Sequence, residues 1–473
     1  MLHKREKERG QVQLLCMDDL VPQDHLLRTI DAALDFSFIY DEVQALYADE
    51  IGRPSVDPVV LFKIVFIQYL YGIRSMRQTI REIEVNMAYR WFLGLDFHDA
   101  VPHFTTFGKN YARRFADTNI FERIFARILE EAVRCGFVDA SAIFIDATHI
   151  KASANKRKAE DMEVLLQAKH YQKQLDAEIE ADRLAHGKKS LKSKDDDDEN
   201  PPTKHIKQST TDPESGLFHK GEHEKMFAYT AHVVCDKNNF VLDCDLSPGN
   251  VHDSVMFDDL YGRVAEKFPE IQGVALDAGY KTPWIMKQVF DSGRLPCTPY
   301  KAPMTKKGFF KKYEYVYDEY YDCIICPENQ VLKYATTNRE GYRAFKSDPK
   351  VCKHCPSRAQ CTESKSHQKV VTLHVWNDYL ERAEDVRYSL WGKTIYGRRK
   401  ETIERVFADA KEKHAMRYTQ YRGWARLRTQ VLLTFACMNL KKLATWKREN
   451  GILMPVLMRF CWSLSKKGGY ALA

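Results

Sequence analysis

Two short apolar runs that each stop at an aspartate constrain this chain most. Ala142-Ile143-Phe144-Ile145 ends at Asp146, and Val274-Ala275-Leu276 ends at Asp277. Continuous apolar runs of this length read as strands buried on both faces. Small or turn-prone residues follow each acid, Ala147-Thr148 in one case and Ala278-Gly279 in the other. Both carboxylates are therefore expected at the rim of a sheet. Phe227 to Val234 and Phe240 to Leu246 read as a hairpin, with turn chemistry from Cys235 to Asn239. Asp253 to Phe268 reads as a helix, a second helix starts near Pro283, and a strand lies near Leu295. The order strand, hairpin, helix, strand, helix, strand predicts a mixed α/β sheet with helical cover.

The chain has 473 residues, 44% of them hydrophobic, which is ample for a core and for about two to four domains. Residues 1–135 read as a helical N-terminal region. Asp57 is a candidate N-cap with Pro58 in the first turn, and Gly72 closes that helix. A second helix opens at Ser75 and carries Ile80, Ile83 and Met87 at helical spacing, with Arg74, Arg77, Arg81 and Arg90 around it. The pair suits a helix-turn-helix-like DNA contact, and equally an ordinary helical hairpin with solvated arginines. Residues 136–300 and 385–450 are the expected α/β core, split by two insertions, with a tail at 451–473. The first insertion, 156–204, is expected to begin as a charged helix (apolar points Met162, Leu165, Leu166 and Tyr171). It ends in a Lys/Asp-rich tract that cannot form a core and reads as a mobile loop. The second, 302–373, holds five of the 12 cysteines.

A net charge of +7 permits a polyanionic partner without demanding one. The acidic run Asp195 to Glu199 leaves the rest more basic. Met1 to Arg9 lacks the apolar stretch of a signal peptide, and runs such as Val431 to Leu440 are too short to span a bilayer. A cytoplasmic protein is expected.

A third acid joins the two aspartates. Lys400 to His414 reads as a strong helix with Ile403, Val406, Phe407 and Ala410 as its buried stripe. Glu404 borders that stripe, and Lys411 lies two turns on along the same side. Three carboxylates from separate elements suit a pair of Mg²⁺ ions, with Mn²⁺ as a substitute, for in-line phosphoryl transfer. The plain alternative is that the aspartates cap turns and the glutamate faces solvent.

Phe144-Ile145-Asp146-Ala147-Thr148-His149-Ile150-Lys151-Ala152 resembles the first-aspartate motif of DDE transposases, closest to the IS1182 insertion-sequence family within the IS4/IS5-like group. Val274 to Tyr280 resembles the second-aspartate motif, and Arg398 to Phe407 with Lys411 resembles the glutamate helix. Asn250-Val251-His252-Asp253-Ser254, Asn439-Leu440-Lys441-Lys442-Leu443 and the stretch from Arg53 to Phe115 also match, so the resemblance runs from about residue 20 to 445. Tyr396 and Arg399 lie one residue upstream of the places the broader signature gives them, with Lys400 at the arginine place. The resemblance implies an RNase H-like fold with Asp146, Asp277 and Glu404 as metal-binding catalytic acids. It implies Lys411 and Arg399 as DNA contacts, beside Arg74, Arg77 and Arg81. It further implies double-stranded DNA as partner (element ends and target), at least a dimer on DNA, and a bacterial, nucleoid-accessible protein. The reaction implied is hydrolysis at element ends, then attack of the freed 3′-hydroxyl on target DNA.

Cys323-x-x-Cys326 and Cys352-x-x-Cys355, with Cys361 beyond, allow tetrahedral thiolate geometry around a structural zinc. By spacing, five cysteines compete for four places, His354 and His367 are weaker candidates, and free thiols are the alternative. The family-like pattern uses Cys326-Pro327 with Cys352, Cys355 and Cys361 and leaves out Cys323. Cys16, Cys135, Cys235, Cys244, Cys297, Cys437 and Cys461 read as isolated apolar residues. Tyr418, Tyr421, Arg422, Trp424, Arg426 and Arg428 are either phosphate and base contacts or a solvated flank with packed aromatics. His149 and His252 adjoin the acidic motifs; a structural hydrogen bond is the simpler role for His149. Two competing functions remain: a nuclease of the same fold that cuts without joining, and a non-catalytic DNA-binding regulator. No nucleophile motif of a serine or tyrosine recombinase is found.

Overall fold

The computed structural model describes residues 14–48, 55–165, 171–191, 203–220, 224–302 and 304–453. The acidic run, Leu166, Arg53, Cys461, the first residues of the chain and most of the tail lie outside these. The N-terminal region is helical: α1 (Met17–Leu20), α2 (Leu26–Ala33), α3 (Phe38–Val43), α4 (Pro58–Leu70), α5 (Met76–Val85), α6 (Met87–Leu93), α7 (Thr105–Asn110) and α8 (Ile120–Arg134). The Asp57 carboxylate accepts from the amides of Val59 and Val60 at 2.7 and 3.2 Å, and Pro58 fills the first position, where no amide is needed. Helix α4 is apolar on nearly every side and is buried as the centre of the bundle.

The single helix expected from Ser75 through Met87 is two. Asn86 ends α5, and its side chain accepts from Ala88 and Tyr89 to start α6. Arg90 is a second correction: it is buried and donates to the carbonyls of Phe97 and Asp99, at 3.2 and 2.8 Å, so it ties down a loop. Arg74, Arg77 and Arg81 are exposed.

The main sheet runs β6 (Val241–Pro248), β5 (Glu224–Cys235), β1 (Ala142–Lys151), β7 (Gly273–Leu276), β8 (Leu295–Cys297). β1–β5 and β5–β6 are antiparallel; β1–β7 and β7–β8 are parallel. Helices α10 (Phe257–Lys267) and α11 (Pro283–Asp291) make the crossovers, and a short 3₁₀ turn, Asp253–Met256, precedes α10.

The first insertion departs from expectation. Ala159–Leu165 is not the start of a helix but a strand, β2, paired along its length with β3 (Thr203–Ser209). β3 meets β4 (Gly216–Lys220), which pairs with the first half of β5, so the insertion extends the main sheet. The helix, α9 (Gln172–Ala185), begins later. At Gly216 a Cβ would lie 2.2 Å from Asn250 Oδ1 and 2.5 Å from its amide, so only glycine lets β4 abut the end of β6.

The second insertion is a five-stranded antiparallel sheet, with β9 (Val316–Asp318), β10 (Cys323–Ile325), β11 (Val331–Thr337), β12 (Tyr342–Lys346) and β13 (Val370–His374) side by side in that order. Helices α12 (Pro349–Lys353) and α13 (Arg358–Cys361) sit between its last two strands in sequence. It has a small core of its own, centred on Ile324, Leu332 and Phe345. The two insertions dock: Arg183 of α9 donates to Thr337 O at 2.8 Å, and Arg343, held within its own insertion by Asp322 at 2.7 Å, pairs with Asp182 of α9 at 2.9 Å.

Helices α14 (Asn377–Tyr388), α15 (Leu390–Gly397), α16 (Ile403–Lys413) and α17 (Trp424–Glu449) complete the chain. α17 spans 26 residues, about 39 Å, and packs on α2, α4, α8 and β6. Asn439 of α17 accepts from the Val241 amide at 2.9 Å and donates to its carbonyl at 2.8 Å, which satisfies the open edge of β6. Apolar residues of the N-terminal bundle, the main sheet and α17 form one continuous core, so the boundary near residue 135 divides the sequence but not the packing. Among the described residues, no helix is long and apolar enough to cross a membrane.

Candidate active site and metal-binding residues

Ile145 of β1 is in parallel register with Leu276 of β7. The next residue on each chain is an acid, so Asp146 and Asp277 stand side by side, where neighbouring strands are about 4.8 Å apart. Asp277 is exposed and opens a 3₁₀ turn, Ala278–Tyr280. Asp146 is largely enclosed. Its Oδ1 accepts from the Ala147 amide at 2.8 Å, and its Oδ2 accepts from Arg399 Nη2 at 2.6 Å. Burial pushes the Asp146 carboxyl up to about 6; Arg399 and the Ala147 amide oppose the shift, and Asp277 and Asp253 add to it.

The resemblance pointed Arg399 toward DNA. It is instead buried, and also donates to Ile145 O at 3.3 Å, so its charge is spent on the first aspartate and not on the surface. Glu404 is exposed on the first turn of α16, whose Ile403, Val406, Phe407 and Ala410 are buried as the sequence predicts. The helix starts at Ile403, after a 3₁₀ turn, Arg398–Lys400. Tyr396 links the parts: burial raises its hydroxyl pKa, Arg399 lowers it, and Asp277, Asp146 and Glu404 each raise it.

Asp253 was quoted within a motif but given no role by the sequence. Its 3₁₀ turn packs against the turn of Tyr280, and burial, then Asp277, raise its carboxyl pKa while His252 opposes. Gly279 lies beside it, with the Asp253 Oδ2 3.9 Å from where a Cβ would stand. Behind these acids the Tyr280 hydroxyl is buried, with no hydrogen-bond partner among the described residues. His252 caps its own turn through Ser254. His149 shares a 3.0 Å hydrogen bond with Thr230 and lies against the Phe218 ring at a tilt of 32°.

Among the described residues no three His, Cys, Asp or Glu groups already enclose a metal-sized space. Magnesium does not require such a cage, since it keeps several waters and takes one or two carboxylates plus substrate phosphate. The all-oxygen donor set and the orphaned Tyr280 hydroxyl fit a hydrated hard cation.

Lys411 and Arg74, far apart in sequence, line one cavity of about 170 Å³ with Arg417, Tyr418 and Tyr421. Arg77 lies over the Phe104 ring at 4.4 Å, and Arg81 stands apart from that cavity on the exposed side of α5. Arg428 is engaged with Glu122 and Asp245, at 2.9 and 3.1 Å, and Trp424 lies against it. Arg422 and Arg426 are exposed.

Cys326, Cys352, Cys355 and Cys361 line a single small cavity, and Cys323, buried on β10, is not among its walls. The Gln330 amide donates to Cys326 Sγ at 3.3 Å, and the Tyr315 hydroxyl lies 3.2 Å from Cys361 Sγ. Cys235, Cys244, Cys297 and Cys437 are buried and unpaired, as expected of apolar residues, whereas Cys16 is exposed.

Two family models match. A transposase domain (DUF772) covers residues 15–113, the N-terminal helices. A transposase DDE domain covers residues 325–444, from the cysteine-bearing insertion through α16 to α17. A comparison with curated proteins found no match. With one transposase match over the N-terminal helices and another over the part that carries Glu404, the comparisons support a DDE transposase.

Proposed function

We propose that the chain is a DNA transposase of the IS1182 type that cleaves element ends and joins them to target DNA, with Asp146, Asp277 and Glu404 as its metal-binding acids. The pairing of Asp146 and Asp277 at adjoining strand tips carries this reading. The strand order β6-β5-β1-β7-β8, antiparallel then parallel, supports an RNase H-like core. Asp253 joins the acids as a fourth carboxylate. Bound divalent ions would supply Lewis-acid activation of the attacking oxygen and charge stabilisation on the leaving one. The chain holds the acids in register, keeps Asp146 neutralised through Arg399, and presents Lys411 and Arg74 to phosphate. A zinc held by Cys326, Cys352, Cys355 and Cys361 would brace the second insertion; the amide aimed at Cys326 Sγ suits a thiolate. Two ends must be cut, so the DNA-bound form is a dimer or larger.

The test uses DNA carrying the inverted repeats that flank the reading frame, with Mg²⁺ or Mn²⁺. Asp146→Asn, Asp277→Asn and Glu404→Gln should each abolish both cleavage and joining of pre-cleaved ends; the variants of the exposed Asp277 and Glu404 should do so at unchanged melting temperature, whereas Asp146→Asn also loses its ion pair with Arg399. Cleavage without joining would make the chain a nuclease. Undiminished transposition in cells by Asp146→Ala would leave only a DNA-binding regulator.

A further inference from the structure

The first insertion builds something beyond the acidic site. A groove of about 1070 Å³ lies along β3, β4 and the first half of β5, walled by the segment that leaves β1. Lys151, Lys156, Arg157, Lys207 and Lys225 line it, and all five are exposed. No carboxylate is among its described lining residues, and none pairs with these cations among the described residues. Asp161 stands across the ladder from Lys207, outside the lining. Five cations with no ion-pair partner among the described residues repel one another along one concave surface.

The register orients the groove. Asp146 faces Val233 on β5, and side chains alternate along a strand, so Phe227 and Lys225 share the sheet face of Asp146. Lys225 pairs with His219 of β4, which carries that face outward. Gln208 of β3 pairs with Gly216, whose partner is Ala228 on the opposite face, so the adjacent Lys207 returns to the face of Asp146. The groove neighbours the cavity of Arg74 and Lys411 through Lys151, which contacts the segment lining that cavity. Lys151 N donates to Arg417 O at 3.1 Å, Thr419 N donates to Lys151 O at 3.0 Å, and the Lys151 ammonium lies over the Tyr418 ring.

From this geometry we propose that the groove seats the phosphate backbone of duplex DNA beside the reacting position. The proposal rests on the transposase reading. Lys151, paired with Ala228 and so on the other face, borders the groove from the end of β1, five residues past Asp146, about 17 Å along the strand. Lys225 is eight residues from Val233, about 27 Å. At about 3.4 Å per nucleotide of one strand, the groove covers roughly five to eight nucleotides from the cut. Its cations are lysines and one arginine, so it holds DNA without reading its bases.

The experiment measures anisotropy of a labelled 30-bp duplex of arbitrary sequence across a salt series. The full chain is compared with a triple variant, Lys156→Gln, Lys207→Gln and Lys225→Gln. Each lost phosphate contact removes about 0.9 from the slope of log affinity against log salt, so the triple variant should lose roughly two to three, with affinity down about tenfold or more. A control triple on other surfaces, Lys267→Gln, Lys346→Gln and Lys350→Gln, should bind as the parent does. Arginine at the three groove positions should restore binding, which separates charge loss from misfolding. Parental slope and affinity in the groove triple would overturn the groove alone. Tighter binding of an RNA of the same length would overturn the choice of DNA. A parent chain that binds no duplex at all would instead overturn the transposase reading.

Discussion

Arg399 Nη2 lies 2.6 Å from Asp146 Oδ2, and the two form the most enclosed ion pair at the acidic site. The guanidinium holds positive charge against an aspartate whose carboxyl burial pushes up to about 6. Removing one partner of such a pair leaves the other buried and uncompensated, at a cost of about 3–5 kcal/mol. Arg399→Gln should therefore lower stability in urea by about 3 kcal/mol, and Arg399→Lys by less. An Arg399→Gln unfolding midpoint equal to the parent's would show that the pair contributes nothing.

Asn439 makes two hydrogen bonds to one residue, accepting from and donating to the Val241 backbone. Asn439→Ala leaves a buried amide and a buried carbonyl without partners, at about 1–3 kcal/mol each. Its urea midpoint should fall accordingly, and hydrogen exchange should rise along β6 before it rises along β1. Uniform exchange across both strands would refute the local role.

His232 is buried against Ser247, and burial pushes its imidazole down to about 4 from 6.5. The unfolded chain therefore binds a proton that the fold rejects between these values. The stability this neutral histidine contributes is full above about 6.5 and is lost as pH falls toward 4, roughly 2 kcal/mol by pH 5. His232→Gln should remove that loss. Burial raises Asp146 to about 6 and Asp236 to about 7, so their contributions have the opposite sign and are lost as pH rises. Both acids remain in the variant, and the difference between parent and variant isolates His232. Parallel pH–stability curves would rule the histidine out.

For the cysteine cavity, elemental analysis should find one zinc per chain. Cys326→Ser and Cys361→Ser should lose it, and Cys323→Ser should keep it, because Cys323 is not among the cavity walls. Zinc loss in the Cys323 variant would reverse the choice among the five thiols.

What could be read from the sequence follows from what is local. The runs ending at Asp146 and Asp277 and the Phe227–Leu246 hairpin carry their own patterns, and the stripe Ile403, Val406, Phe407, Ala410 has one helical period. Ala159–Leu165 misled because Met162 and Leu165 fit helical spacing, while the partner that makes it a strand begins at Thr203. Arg399 and Arg90 misled differently: an arginine is equally at home on a surface or against a buried acceptor, and only packing decides. Asp253 reaches the site through contact between two 3₁₀ turns, which no spacing encodes.

Gly72, at φ +61°, presses against the end of α16; a Cβ there would lie 2.6 Å from Lys413 O. Next to it the buried His414 ring is bonded to the Tyr69 carbonyl at 2.7 Å. The helix bearing Glu404 is thus clamped to the turn that precedes Arg74, and α17 threads the same bundle. Grafting another relative's first 135 residues onto the rest of this chain would put a foreign surface under the helix that bears Glu404. The two parts should therefore be inherited together, and chimeras that exchange α4–α5 should fold only when α16 and α17 travel with them.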